Sequence, residues 1–95
     1  MTSKQRAYLS GLASTLPVVV QVGKSGLTPE LSESVNEAFN TRELVKITVL
    51  NNCPQDARSI AQALAERSRS AVVRVVGKKI ILYKRDKDRP KIELP

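Results

Sequence analysis

Apolar residues along the chain alternate between helical and extended periods. Leu9, Leu12, Ala13 and Leu16 recur at three- and four-residue spacing. This predicts a first amphipathic helix that starts near Ser3 and is closed by Pro17. Val18 to Val22 is a β-branched run and reads as a first strand, with Val18, Val20 and Val22 on one face. Leu31, Val35, Ala38 and Phe39 return to helical spacing behind Thr28-Pro29-Glu30. Those three residues supply an N-cap, a proline at the first helical position and an acid near the positive end of the helix dipole. From Leu44 to Leu50 the period is two, with Val45, Ile47 and Val49 on one side and Lys46 and Thr48 on the other. Beyond Asn51-Asn52-Cys53-Pro54, the residues Ala57, Ile60, Ala61, Leu64 and Ala65 mark a third helix that starts near Pro54. Ala71 to Val76 and Lys79 to Tyr83 are two strands joined at Gly77-Lys78, where a leading glycine suits a type II′ hairpin.

The predicted order is α-β-α-β-α-β-β, an α/β fold. Strands separated by helices imply right-handed parallel crossovers, and the last pair adds an antiparallel hairpin. The expected result is a four-stranded mixed sheet packed by helices. One sheet face is richly apolar. The other carries Gln21, Lys46, Thr48 and Arg74, with Arg74 on the Val72/Val76 face of its strand. That half-polar face is either partly covered by the first helix or open to a ligand. With 95 residues, 41% of them apolar, the chain makes one domain of modest core. The expected organisation is a domain over residues 1–85 and a charged tail over 86–95, extended or loosely ordered.

Charge changes the picture more than composition does. The net charge is +7, but residues 1–29 carry +3, residues 30–66 carry −3 and residues 67–95 carry +7. An acidic middle between basic ends points to a polyanion partner, nucleic acid first and an anionic membrane surface second. No basic helix has the aromatic-rich apolar face of a membrane-surface segment. No apolar run approaches the roughly 20 residues of a membrane span, and no secretory h-region is visible near the N-terminus. The expected compartment is the cytoplasm.

Much chemistry is excluded by residue type. There is no histidine and one cysteine, Cys53, so Ser-His-Asp and Cys-His pairs and the usual metal sites are not available. Gly23-Lys24 and Gly77-Lys78 both have valine, Val18 and Val72, where a P-loop needs its first glycine. Ser25 beside Lys24 sits in an exposed loop that would not lower the lysine's pKa. No catalytic residue, cofactor or metal is expected, and the chain does not read as an enzyme.

What remains is QVGKSGLTPE, in which Gly23 and Gly26 bracket Lys24 and Ser25 at a strand-to-helix junction. Such a loop either presents N–H groups to a phosphate or is a tight turn that needs glycine for geometry. KH domains clamp the nucleic-acid backbone with a GxxG loop, although theirs joins two helices.

The blocks KQRAYLSGLA, VVVQVGKSGLT, ELVKITVLNN, ALAER and VVGKKIILYKR, in this order and spacing, resemble the CRM domain family over roughly residues 3–85. Its small stand-alone bacterial members are the YhbY-type proteins. The resemblance implies a fold similar to the C-terminal domain of bacterial initiation factor three. It also implies RNA binding and association with precursors of the large ribosomal subunit, hence a ribosome-assembly role. Carried over, the family's loop falls on Gly23, Lys24, Ser25 and Gly26. The basic start of the first helix falls on Lys4 and Arg6, and the basic final hairpin on Arg74, Lys78, Lys79, Lys84 and Arg85. The implied partners are large-subunit ribosomal RNA or its precursor, with ribosomal proteins a second class; the expected state is a monomer. The chain departs from the family's AHxLKPVV-like stretch, reading ASTLPVVV with Ser14 and Pro17. It also has Ser68-Arg69 where the family often has Thr-Gly.

With three aromatic residues, Tyr8, Phe39 and Tyr83, a base-stacking platform has Tyr83 as its one candidate, and packing is the commoner role for such a residue. Binding is therefore expected to be dominated by phosphate contacts. On this reading Gly26→Asp leaves the fold intact and weakens RNA binding. The alternative is a protein-interaction adaptor whose acidic middle, Glu30 to Glu43, docks a basic ribosomal protein.

Overall fold

Four strands pair in the order β1-β2-β4-β3 in the computed structural model, which describes residues 1–95. The elements are α1 (Ser3–Ala13), β1 (Val20–Val22), α2 (Pro29–Phe39), β2 (Leu44–Val49), α3 (Ala57–Ser68), β3 (Ala71–Val76) and β4 (Lys79–Tyr83). This is the expected α-β-α-β-α-β-β order and mixed sheet. β1 and β2 are parallel, and β4 runs antiparallel to both β2 and β3. The final hairpin thus inserts β4 into the middle of the sheet and leaves β3 at an edge. Gly77 has φ +56° and Lys78 is not left-handed, which fits the type II′ turn.

The period-two pattern of β2 divides the core. Val45, Ile47 and Val49, with Ile80 and Leu82 of β4, pack under Leu31, Val35 and Phe39 of α2 and Ile60, Ala61 and Leu64 of α3. On the opposite face, Leu9 and Ala13 of α1 cover Leu44, Val73, Ile81 and Tyr83. α1 therefore covers part of the half-polar face. Lys46 is recruited into this packing, its Nζ donating to the carbonyls of Ala13 and Leu16 at 3.3 Å each. A cation there complements the negative end of the helix dipole.

Several boundaries differ from the sequence reading. Thr2, not Ser3, caps α1: its Oγ1 accepts from the Gln5 amide and the Gln5 side chain accepts from the Thr2 amide. The helix ends at Ala13, well before Pro17, because Ser14 turns its Oγ back onto the Gly11 carbonyl at 2.7 Å. Leu12 and Leu16 consequently stay 38% exposed rather than joining the buried stripe. α3 is capped by Asp56 instead of starting near Pro54, with Asp56 Oδ1 accepting from Ser59 N at 2.7 Å. β3 holds a bulge. Val72 pairs with Leu82 and Arg74 with Ile81, so Val73 is the extra residue. The shift in parity puts Val72 and Val75 against the α3 side. Val73 lies under α1, and Arg74 no longer shares a face with Val72.

Residues after Tyr83 form no regular element, yet they are strapped down. Glu43 is buried at 3% exposure, and its carboxylate accepts three amides: Asp86 N at 2.8 Å, Lys91 N at 2.6 Å and Ile92 N at 2.8 Å. Ile92 and Leu94 pack against the α1 core, and Gln5 Nε2 donates to the Pro95 carbonyl at 3.3 Å. The tail is extended, and the buried carboxylate holds it in place. Burial pushes the Glu43 pKa up, but the three amides outweigh it and hold the carboxyl below its ordinary value.

The sign of the pH dependence follows. The native Glu43 pKa is depressed, so its stabilisation is fully present above the ordinary glutamate pKa. It is lost as pH falls through the lowered native value. Glu43→Gln should flatten this part of an acid-denaturation curve. At neutral pH it should cost on the order of 2 kcal/mol, since hydrogen bonds to a charged acceptor outweigh neutral ones. Limited trypsin digestion at Lys87 should also become faster in the variant.

Candidate nucleic-acid interface

The two glycines of GKSG do different work. Gly26 N donates to the Gly23 carbonyl at 3.0 Å and closes a four-residue turn with Lys24 and Ser25 exposed at its tip. Gly26 has φ +62° and the two tip residues are not left-handed, as in a type I turn with glycine at its fourth position. A Cβ on Gly26 would collide with the Gln55 side chain and lie 3.1 Å from Pro54 Cγ. The turn is thus wedged against the loop that precedes α3. Gly23 has no left-handed φ, and a Cβ there would meet Asn52 Oδ1 and Leu50 Cδ1 at 3.9 Å, ordinary contact.

The amides of Lys24 and Ser25 find no acceptor within the chain. At the start of α2, by contrast, Leu31 N is taken by Thr28 Oγ1 at 3.1 Å, and Glu30 stands exposed in the first turn. Glu30 also lines the cavity of about 330 Å³ beside Gly23, Ser25 and Gly26. Its carboxylate opposes an anion on that side, so the electrostatics favour approach from the Lys24 tip.

Two main-chain bonds set the neighbours of this turn. Leu50 N donates to the Val22 carbonyl and Val49 N to the Lys78 carbonyl, both at 2.8 Å. They bring the GKSG turn and the Gly77-Lys78 hairpin tip to the same end of the sheet. Lys24, Lys78 and Lys79 share that end, and Lys79 Nζ donates to Thr48 Oγ1 at 2.9 Å. Arg6 and Arg74 lie elsewhere, along the outer edge of β3, with Arg74 Nη1 3.4 Å from Ser10 Oγ. Lys84 and Arg85 follow the far end of β4, about 13 Å from Lys79 at ~3.3 Å per residue. With Arg69 and Lys87 they surround a cavity of about 660 Å³ beside Met1. Lys4 is exposed in the first turn of α1.

The residues singled out from sequence therefore separate into a loop-and-hairpin end, a β3 edge and an opposite end. Three further basic residues join them: Arg58 at the β3 edge, and Arg69 and Lys87 at the opposite end. Arg69 and Lys87 belong to the basic last third of the chain and were accessible to a charge argument. Arg58 is hidden in the net-acidic middle. Arg69 takes φ +56° at the C-cap of α3, which accounts for a glycine being common there in the resembled family.

Aromatic stacking has little support. Tyr83 is 7% exposed under α1; burial first, and then the charge of Glu43, push its phenol pKa up. Phe39 is also buried, and the exposed aromatic is Tyr8 on α1, at 43%. No group of three or more His, Cys, Asp or Glu residues is placed to hold a metal, and no helix is long and apolar enough to cross a membrane.

The geometry of Gly26 adds a stability cost to Gly26→Asp that the sequence reading did not include. Any side chain there meets the left-handed φ and a close approach to Pro54, while the exposed Gln55 side chain must rotate away. Gly26→Ala should lose about 1–2 kcal/mol from the φ alone, whereas Gly23→Ala should stay within ~0.5 kcal/mol of wild type. Urea denaturation of the two variants side by side measures the difference.

Comparison with known proteins agrees with this architecture. Residues 1–84 match the model of the CRS1/YhbY (CRM) domain. A Bacillus subtilis protein named probable RNA-binding protein YqeI is 41% identical over 95 residues, covering 100% of this chain and 99% of its own. A Haemophilus influenzae protein named RNA-binding protein is 33% identical over 95 residues, covering 100% of this chain and 95% of its own. The solution structure of a Staphylococcus aureus protein superposes with a TM-score of 0.84 at 36% identity, covering 100% of this chain and 99% of that one. The chain belongs to the CRS1/YhbY (CRM) domain family.

Proposed function

We propose that this protein binds RNA through its phosphates and acts on precursors of the large ribosomal subunit. The observation that carries the reading is the meeting of the GKSG turn and the Gly77-Lys78 hairpin at one end of the sheet. Segments some fifty residues apart there present Lys24, Lys78 and Lys79 together with the unpartnered amides of Lys24 and Ser25. Phosphate oxygens accept from both kinds of donor. The names of the Bacillus subtilis and Haemophilus influenzae relatives support RNA as the polyanion. Without a stacking platform, discrimination rests on RNA shape rather than on base identity. The ribosomal role and a ribosome-associated location come from the family resemblance; the cytoplasm as compartment and action without catalysis come from the residue types of the chain, and a monomer from its size.

A second reading, docking of a basic protein through the acidic middle, draws on Glu30, Glu33 and Glu37, all exposed on or near α2. It loses Glu43, whose buried carboxylate is spent on the tail. The two readings part on salt dependence with naked RNA.

The test is a titration of large-subunit ribosomal RNA fragments at several salt concentrations, with Lys24→Ala beside wild type. If about five phosphates are neutralised, the log–log slope should be about −3.5 to −4.5. Lys24→Ala should weaken binding to all fragments and reduce the slope by about 1. Non-specific binding to every fragment, unchanged in Lys24→Ala, would return GKSG to the role of a turn.

A further inference from the structure

Three arginines from three different elements come together at the edge of the sheet. Arg6 comes from α1, Arg58 from α3 and Arg74 from β3, and together with Gln62 they line one cavity of about 260 Å³. No carboxylate lines it. The nearest acid in sequence is Asp56, whose Oδ1 is held by the Ser59 amide as the cap of α3. Arg74 has a long bond to Ser10 Oγ at 3.4 Å and no acidic partner. β3 is also an edge strand, paired with β4 alone, so the main chain on its outer side is free to donate.

Like charges on the wall of one cavity repel one another, and no carboxylate lines that cavity, although Arg58 borders Asp56 and Glu66 on its other side. A phosphodiester seated in the cavity would relieve the repulsion. Each arginine offers a planar fork of donors that matches phosphate oxygens. We propose that the notch between α1, α3 and β3 seats the backbone of a bound RNA, with Arg58 as its third anchor. This rests on the RNA-binding reading and deepens it: Arg6 and Arg74 were among its residues, and Arg58 is the added contact that joins them into one seat. Backbone leaving the Lys78-Lys79 end runs along β3, past Arg74 and Arg58 to Arg6. It passes on the side of the sheet away from β1, the edge strand beside which Glu30 lies. Arg58 belongs to a chain segment of net charge −3, yet α3 delivers it to the basic side.

Edge strands also carry charges to stop another strand from adding, and that role makes a different prediction. The experiment compares Arg58→Gln with Arg42→Gln. Both remove one exposed arginine, but Arg42 lies between α2 and β2, lining a separate cavity beside Leu12 and Leu16. Glutamine is a good helix former, and equal urea midpoints for Arg58→Gln and wild type confirm that the fold is kept. The probe is large-subunit ribosomal RNA fragments across a salt series, with light scattering in parallel. Arg58→Gln is expected to weaken binding to all fragments and lower the salt slope by about 1, while Arg42→Gln matches wild type. Equal losses in the two variants would reduce the effect to net charge and overturn the proposal. So would wild-type RNA affinity in Arg58→Gln with new self-association, the signature of edge protection. In either of these cases a persisting defect in Lys24→Ala would leave the RNA reading standing. If wild type itself shows no salt-dependent binding, both fall.

Discussion

The central strands β2 and β4 are buried on both faces, and each face needs a different cover. Val45, Ile47 and Ile80 must meet α2 and α3, while Leu44, Ile81 and Tyr83 must meet α1. Two helices suffice for the first face. On the second, α1 alone is available, and Ser14 stops it after eleven residues. Lys46 bonds to the carbonyl of its last residue, Ala13, and to that of Leu16 just beyond it, so the cover ends where the polar positions of the sheet begin. Beyond that line Gln21, Thr48 and Lys79 stand side by side in register. The open end of the sheet is thus a consequence of how far one short helix reaches.

This division also sorts the charges. The GKSG turn and the hairpin tip lie at the uncovered end, and both carry lysine. Exposed acids cluster on α2, with Glu30 at its start beside the GKSG turn and Glu33 and Glu37 further along it. Glu43 is acidic in sequence but not in surface chemistry, because three amides of the tail consume it. The tail is therefore part of the domain's packing, with Ile92 and Leu94 set against the α1 core.

The glycine loop shows how geometry refines a motif. Gly26 is needed for its left-handed φ, and the close approach of Pro54 Cγ adds to the demand. Gly23 is needed for neither. The pattern GxxG contains both residues on equal terms, so turn geometry explains half of it and leaves the exposed lysine tip for a ligand. Of the two possibilities that the sequence left open, a turn and a phosphate loop, the turn is accounted for by Gly26, and Lys24 and Ser25 stand exposed at its tip.

Sequence alone determined the elements and their order. Hydrophobic period is a local property: period two in Leu44 to Leu50 and helical spacing in α2 and α3 state which face is buried without reference to a partner. The Thr28-Pro29 helix start and the Gly77 hairpin were legible for the same reason, since caps and turns are made of neighbours. Three things were not local. The bulge at Val73 arises from pairing with β4, and it moved Arg74 off the face it shares with Val72 in sequence. The Glu43 strap joins residues more than forty positions apart. The position of Arg58 beside Arg6 and Arg74 depends on where α1 and α3 meet the sheet edge. Charge summed along a segment cannot reveal a patch built across segments, because only folding decides which side chains share solvent.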